Sequence, residues 1–479
     1  MRIGQTSILY FGSKFFGSAI GFLATVYFAR ELGETILGHY FLVLAVVSWI
    51  AIVGKVGLSD AITKRISEGD EREAYIIAGA LMIFISGGVI ALGVVIFRAT
   101  IEDYIGQPVT EYILLIFIIA LVMSVFRAAL KGHHLVHIYA ILSIGKEVSR
   151  TVIQLSLVII GFGLVGLLVG YAIGGLVVAI GGLWYLRPGY TRPTAKHMRN
   201  IFDFAKFSWL GSIRSKTFDS VDILVLGAFV PAGLVGIYSV AYSIAKFLDI
   251  FGTAISTTMF PEMSKIASTE DIDAVSSLVE DSIIYAGLLL IPGSIGAVVI
   301  GDRLLYIYGD GFVAGTEILV ILIIALTIYT YNKQLLNTLN AINRPDLAFR
   351  SNLVFIVSNV VLNVVLVWQF SWLGAAIATA ISAMIGLIFA YYYTSSNINF
   401  NIPIKEISQQ IGAALAMGLV VHGVRRYSES YWITEYNSVF VVILVGLGAA
   451  IYFLVLLGIS STFRTTVANN LPFDIPQRI

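Results

Sequence analysis

The sequence predicts an all-α, polytopic membrane protein of about fourteen transmembrane helices, and three observations predict it. Of its 479 residues, 58% are hydrophobic and only 12% charged, against about 45–50% and about 25% in soluble domains, and the mean hydropathy is +0.90. The apolar residues gather in runs of about twenty, the helical length that crosses a hydrocarbon core about 30 Å thick. The links between runs are short, the longest running from Arg187 to Lys206, which leaves no room for a soluble domain.

Bounded by charge and turn residues, the runs fall at 7–29, 36–59, 74–97, 112–130, 138–160, 164–186, 207–229, 233–258, 279–300, 315–331, 347–368, 372–393, 407–424 and 437–459. The first contains Lys14 and leads straight into the second, so it reads as a span and not as a removable leader. Between the fifth and sixth, Gly161, Gly163 and Gly166 spell GxGxxG, but in a tight turn between two spans, the wrong setting for a dinucleotide. No GxxxxGK[ST] occurs, so any driving energy comes from a gradient or from the substrate itself. The absence of cysteine removes disulfides, thiolate metal sites and thiol nucleophiles. No metal or cofactor is expected, although His133, His134 and His137 are spaced closely enough to chelate, because no carboxylate stands near them in the sequence. Lys plus Arg number 30 and Asp plus Glu 29, for a net charge of +1, which gives nucleic acid nothing to bind.

Orientation follows from where the cations fall. With the N-terminus in the cytoplasm, seventeen Lys and Arg lie in cytoplasmic segments, among them Lys64, Arg65, Arg72, Lys131, Arg192, Lys196, Arg199, Lys206 and Lys333. Only Arg30, Arg98, Arg303, Arg425 and Arg426 lie outside. Both termini are therefore expected in the cytoplasm. Trp184 and Trp209 flank the basic loop while Trp368, Trp372 and Trp432 sit at outer ends, as interfacial anchors do.

The chain also repeats itself. Leu37-Gly38-His39-Tyr40 opens span 2 and Val235-Gly236-Ile237-Tyr238 opens span 8; Leu168 to Ile173 with Ala179 and Gly182 in span 6 matches Trp372 to Ile377 with Ala383 and Gly386 in span 12. The same six-span separation predicts two like lobes, residues 1–187 and 207–394, joined by a cytoplasmic loop 188–206 and followed by a helix pair in 395–479. Gly170 and Gly174 have the GxxxG spacing of close helix packing.

Eight cations stay within spans: Lys14, Lys55, Arg127, Lys146, Arg150, Arg214, Lys216 and Lys246. A charge at a helix centre costs about 2.5–3.5 kcal/mol on insertion scales, so these groups must meet protein, water or each other. From the helical rise, Lys14 and Arg214 lie roughly 10 Å from the cytoplasmic ends of their spans, and Lys146 and Arg150 roughly 12 and 18 Å. The positive groups therefore line the inner half of the bilayer, where an anionic headgroup would meet them. Several have a structural alternative: Lys55 and Arg127 can reach the interface by snorkelling, Lys216 with Asp219 and Lys246 with Asp249 can neutralise one another three residues apart, and Glu147 can pair with Arg150. Lys14 and Arg214 have no opposite charge within a turn on their own helices, which makes them the preferred ligands. Asp219 and Asp222 are like charges on one face, so either one titrates or each pairs with its own cation. Asn359 and Asn363, one turn apart, suit either sugar hydroxyls or interhelical hydrogen bonds.

Asp222-Ile-Leu-Val-Leu-Gly227 running into Val235 to Tyr242 and Phe260-Pro261, then Leu339-Asn340, Asn343-Arg344-Pro345, Asn363 and Trp372 to Thr379, resemble the polysaccharide and oligosaccharide flippases. This is the Wzx-like branch of the MOP superfamily, which also holds the MATE exporters and the lipid II flippases. The resemblance implies a multi-pass cell-membrane carrier, not an enzyme, which moves a polyprenyl-phosphate- or diphosphate-linked glycan to the outer leaflet by alternating access. Lys14, Lys55, Arg150, Arg214 and Lys216 would hold the phosphate. Asp219, Asp222 and Asp249 would serve a coupling ion, H+ or Na+, Asn359 and Asn363 the sugar, and a groove near spans 13 and 14 the lipid tail, with a monomer as the working unit among membrane lipids. The competing expectation is a MATE-like exporter of cationic small molecules, to which an excess of intramembrane cations is poorly suited.

Overall fold

The computed structural model describes residues 3–55, 57–186, 189, 191–269, 272–428 and 436–470, with side chains placed for these apart from 3–19, 207–219, 272–273 and 469–470. The described residues are helical almost throughout and contain no strand. In order the helices are α1 (Ile3–Lys55), α2 (Leu58–Ser67), α3 (Arg72–Ile96), α4 (Arg98–Ile105), α5 (Thr110–Gly132), α6 (Val136–Ile159), α7 (Gly163–Leu186), α8 (Ala195–Phe229), α9 (Ala232–Thr269), α10 (Ser276–Ala286), α11 (Leu290–Tyr306), α12 (Thr316–Ala341), α13 (Pro345–Ser395), α14 (Ile404–Ser428), α15 (Asn437–Ile459) and α16 (Ser461–Asn470).

The expected spans map onto these. α1 breaks at Gly33, with φ 76° and ψ 175°, a conformation open only to glycine. α13 breaks at Ser371, with φ 54°. Ten stretches are long and apolar enough to cross a membrane among the described residues. The two broken helices supply two segments each, and α6 and α8 complete fourteen. A lipid-facing surface is visible on α3, where Ile85, Val89, Leu92 and Ile96 are exposed at helical spacing, a stripe that water would penalise.

Several boundaries differ from expectation. α8 starts at Ala195, so residues 195–206 are helix where a loop was expected. Its start is fixed by a capping box, in which the Thr194 N–H donates to His197 Nδ1 at 3.0 Å. α9 runs past residue 258 to Thr269, with Pro261 inside it, and α12 runs past residue 331 to Ala341. The α12 extension is polar and carries Lys333, Gln334 and Asn337, whereas the α9 extension packs Met263 into an apolar core. Span 9 is discontinuous, divided between α10 and α11.

Two compact units divide the chain: Met1–Val240 with Asn363–Ala375, and Ala241–Leu362 with Ala376–Ile479. In the first, the repeat-matched glycines are points of close approach. A Cβ on Gly38 would strike the Ala232 carbonyl, and one on Gly236 the Glu34 carbonyl. The starts of spans 2 and 8 therefore touch backbone to backbone at equivalent residues. Gly170 and Gly174 let α7 lie on Gln154 and Arg150 of α6, the use that the GxxxG spacing predicts. The equivalence extends to Gly182, which faces Phe126 of α5, and Gly386 in the second unit, which faces Asn332 of α12.

Candidate functional site

The close seating of α7 on α6 presses a charged stripe of α6 into the first unit. Lys146, Glu147, Arg150 and Gln154 recur at the spacing that keeps one helix face. Glu147 bridges both cations, at 2.7 Å from Lys146 Nζ and 2.8 Å from Arg150 Nη2. The Arg150 guanidinium lies 5.7 Å over the Tyr171 ring, a cation–π contact. Its Nε finds no hydrogen-bond partner among the described residues. Gln154 Nε2 donates to Tyr40 Oη at 3.1 Å and to the Leu167 carbonyl at 2.7 Å, anchoring the stripe between α1 and α7. One carboxylate against two cations leaves the cluster with a surplus positive charge at a depth where an isolated charge is costly.

A second site in the same unit surrounds Asp222, which is 4% exposed. Its Oδ2 accepts from Tyr238 Oη at 2.5 Å and its Oδ1 from Asn363 Nδ2 at 2.9 Å. One carboxylate thus ties α8, α9 and α13 together. Hydrogen bonds of this kind offset the cost of burying charge.

The second unit holds a ladder between α9 and α12. Thr330 Oγ1 donates to Asp249 Oδ1 at 2.5 Å, and Thr253 Oγ1 donates to Asp249 Oδ2 at 3.1 Å. The same Thr253 oxygen accepts from Lys333 Nζ at 2.8 Å. Gln334 Nε2 then reaches the Gly252 carbonyl at 3.1 Å, and Asn337 Nδ2 reaches Ser256. The acid and the amine are therefore linked through one hydroxyl.

The structure brings Arg150, Asp222 and Asn363 into the first unit and Asp249 and Asn359 into the second. Lys55 is half-buried in the last turn of α1, where a cation opposes the negative end of the helix dipole. Asn359 Nδ2 donates to Ser382 Oγ at 3.0 Å, and both asparagines are fully buried. In this arrangement their amides serve interhelical bonding, so the sugar-contact expectation has no open surface at either residue. Lys14 falls in 3–19, and Arg214, Lys216 and Asp219 in 207–219, outside the described side chains. Lys333, assigned by sequence to a cytoplasmic segment, lies inside α12, because that helix runs ten residues past the expected end.

Sequence reasoning missed Thr253, Thr330 and Lys333. Their signal was the pairing of Asp249, Gly252, Thr253 and Ser256 with Thr330, Lys333, Gln334 and Asn337, two polar stripes of matching period.

Comparison with known proteins adds the lineage. A family model described as polysaccharide biosynthesis protein matches residues 3–267. The chain is 29% identical over 475 residues to a Haloferax volcanii protein named "Probable flippase AglR", covering 97% of this chain and 98% of that one. It is 29% identical over 425 residues to a second protein of that organism, named a probable low-salt glycan biosynthesis flippase, covering 88% and 89%. Among solved structures, the lipid II flippase MurJ in an inward closed conformation superposes with a TM-score of 0.80 at 16% identity, over 97% of this chain and 99% of that one, a likeness of fold.

Proposed function

Since the chain belongs to the polysaccharide biosynthesis protein family, whose model covers more than half of it, we propose that it is a lipid-linked glycan flippase, a carrier and not an enzyme. Its substrate is a saccharide on a polyprenyl phosphate or diphosphate, moved from the cytoplasmic to the outer leaflet by alternating access. The observation that carries this reading is the α6 cluster, in which Lys146 and Arg150 share the single carboxylate of Glu147. The surplus positive charge suits a phosphate, and the Arg150 fork suits its oxygens. Lys14, Lys55, Arg214 and Lys216 complete the proposed phosphate path, and both termini face the cytoplasm.

Asp222 is the proposed coupling acid. Tyr238 of α9 and Asn363 of α13 both donate to it, so exchange of H+ or Na+ at its carboxylate would loosen or tighten three helices together. Asp249 is proposed to do the same in its own unit, and the working unit is a monomer. Binding to the purified protein tests the reading against that of a cation exporter. A polyprenyl-phosphate saccharide is expected to bind and an organic cation such as ethidium is not. The reverse result would establish the exporter.

A further inference from the structure

Glu147 divides its two oxygens between two cations. Oε1 accepts from Lys146 Nζ at 2.7 Å and Oε2 from Arg150 Nη2 at 2.8 Å. The side-on fork of a guanidinium is formed by its Nε–H and one Nη2–H, which lie parallel and suit two oxygens at once. Glu147 fills half of that fork. The other half, Arg150 Nε, is buried without a hydrogen-bond partner among the described residues, a costly state for a charged donor. Three donor atoms thus stand around a carboxylate that has two oxygens to offer. A phosphoryl group carries its oxygens tetrahedrally about phosphorus and can meet all three.

Arg150 has holds other than Glu147. Gly174 of α7 leaves room for its Cα and Cβ, its Nη2 lies 3.3 Å from the position of a Cβ on Gly21 of α1, and its guanidinium lies over the Tyr171 ring at 5.7 Å. The guanidinium is therefore seated by two neighbouring helices as well as by the carboxylate. Among the described residues, the ionic and hydrogen-bonding partners of Glu147 are Lys146 and Arg150, so an anion that replaces it on those cations also releases it. The side chains of Lys146, Glu147 and Arg150 are 24%, 24% and 22% exposed, which leaves the cations within reach of a ligand and the carboxylate free to turn aside.

We infer that Glu147 is the resident counter-anion of the phosphate site. It holds the place of the substrate's phosphoryl group in the empty carrier and gives way when that group takes Lys146 Nζ together with the Nε–Nη2 fork of Arg150. It then returns to those cations and expels the phosphoryl group at release. The inference rests on the flippase reading above and adds how the site is emptied. Exchange of one anion for another never leaves both cations bare at membrane depth, and a built-in competitor keeps the phosphate from being trapped. Without the competing charge the substrate binds more tightly and leaves more slowly, so KM and kcat fall together.

The test compares the purified full-length wild type with Glu147→Gln, Arg150→Ala and the double variant. Binding of farnesyl phosphate in mixed micelles is followed by calorimetry, and flipping of a polyprenyl-phosphate saccharide in proteoliposomes. Glu147→Gln is expected to bind farnesyl phosphate at least about tenfold more tightly than the wild type, to lose that gain when Arg150→Ala is added, and to flip with KM and kcat both lowered. A carboxylate that merely orients Arg150 gives the opposite, weaker binding with no fall in KM. Should Glu147→Gln fail to fold, the wild type carries the test: saturating farnesyl phosphate should increase modification of Glu147 by dicyclohexylcarbodiimide, read by peptide mass spectrometry, because the carboxylate has left both cations. Binding that is unchanged or weaker in Glu147→Gln, or modification that does not rise, overturns the inference, and the phosphate reading survives if Arg150→Ala still abolishes binding. Absence of farnesyl phosphate binding in every protein overturns that reading and the inference with it.

Discussion

Replacing Asn363 with Leu removes the Nδ2 that donates to Asp222 Oδ1 at 2.9 Å and leaves the shape of the side chain nearly unchanged. Asp222 is 4% exposed, so water cannot substitute, and the carboxylate keeps only Tyr238 among the two bonds described above. A hydrogen bond to a charged group contributes about 1.5–3 kcal/mol, and the burial of Asp222 places this bond in the upper part of that range. Asn363→Leu should therefore destabilise the protein by about 2–3 kcal/mol. In an Asp222→Leu background the same change should cost less than about 1 kcal/mol, because no carboxylate remains to accept from the amide and an apolar pair of similar shape is close to neutral. The coupling, about 1 kcal/mol or more, is the measurable quantity. Equilibrium unfolding in mixed micelles across the four proteins of the cycle gives it directly. Equal costs for Asn363→Leu in both backgrounds would refute the claim that this amide holds that carboxylate.

Three other outcomes follow from the packing and the charges. A side chain on Gly174 would place its Cβ 2.6 Å from Arg150 Cβ and 2.8 Å from its Cα, so Gly174→Leu should cost about 1–3 kcal/mol by overpacking, read as a lower unfolding midpoint. Thr253→Val removes the oxygen shared by Asp249 and Lys333 and should cost about 1–3 kcal/mol, with Thr253→Ser restoring the midpoint. Outside the spans, burial, followed by the Arg72 guanidinium, holds the His133 imidazole below its usual range. The unfolded chain then takes up the proton first as pH falls below about 6.5. Stability is thus full above that value and is lost as pH falls through the folded-state pKa, and His133→Gln should flatten the acid side of the midpoint-against-pH curve.

The fold was legible because its cause is short-range and redundant. A run such as 437–459 is uniformly apolar and bounded by polar residues, and α15 occupies the same range. The boundaries that moved lie where helices leave the apolar zone with polar faces. The α12 extension beyond residue 331 contains Lys333, Gln334 and Asn337, which hydropathy alone excludes, although the α9 stripe satisfies them. Likewise the α8 start depends on Thr194 and His197, a capping signal too weak to outweigh a basic stretch. At the candidate site, the pairing of Glu147 with Arg150 was legible because both lie on one helix. The partners of Asp222 were not, since Tyr238 and Asn363 are distant in the sequence. The break in span 9 was hidden because Gly287 and Pro292 are both tolerated inside membrane helices.

The central claim is that surplus positive charge on α6 handles a phosphate-linked glycan during its passage across the bilayer. The direct measurement is flipping of a polyprenyl-phosphate saccharide in proteoliposomes containing the wild type or Arg150→Ala. The expected result is protein-dependent flipping that falls at least about tenfold in the variant, equivalent to about 1.4 kcal/mol of lost interaction. Flipping that proceeds equally well in Arg150→Ala, or that the wild type does not support at all, would contradict the account.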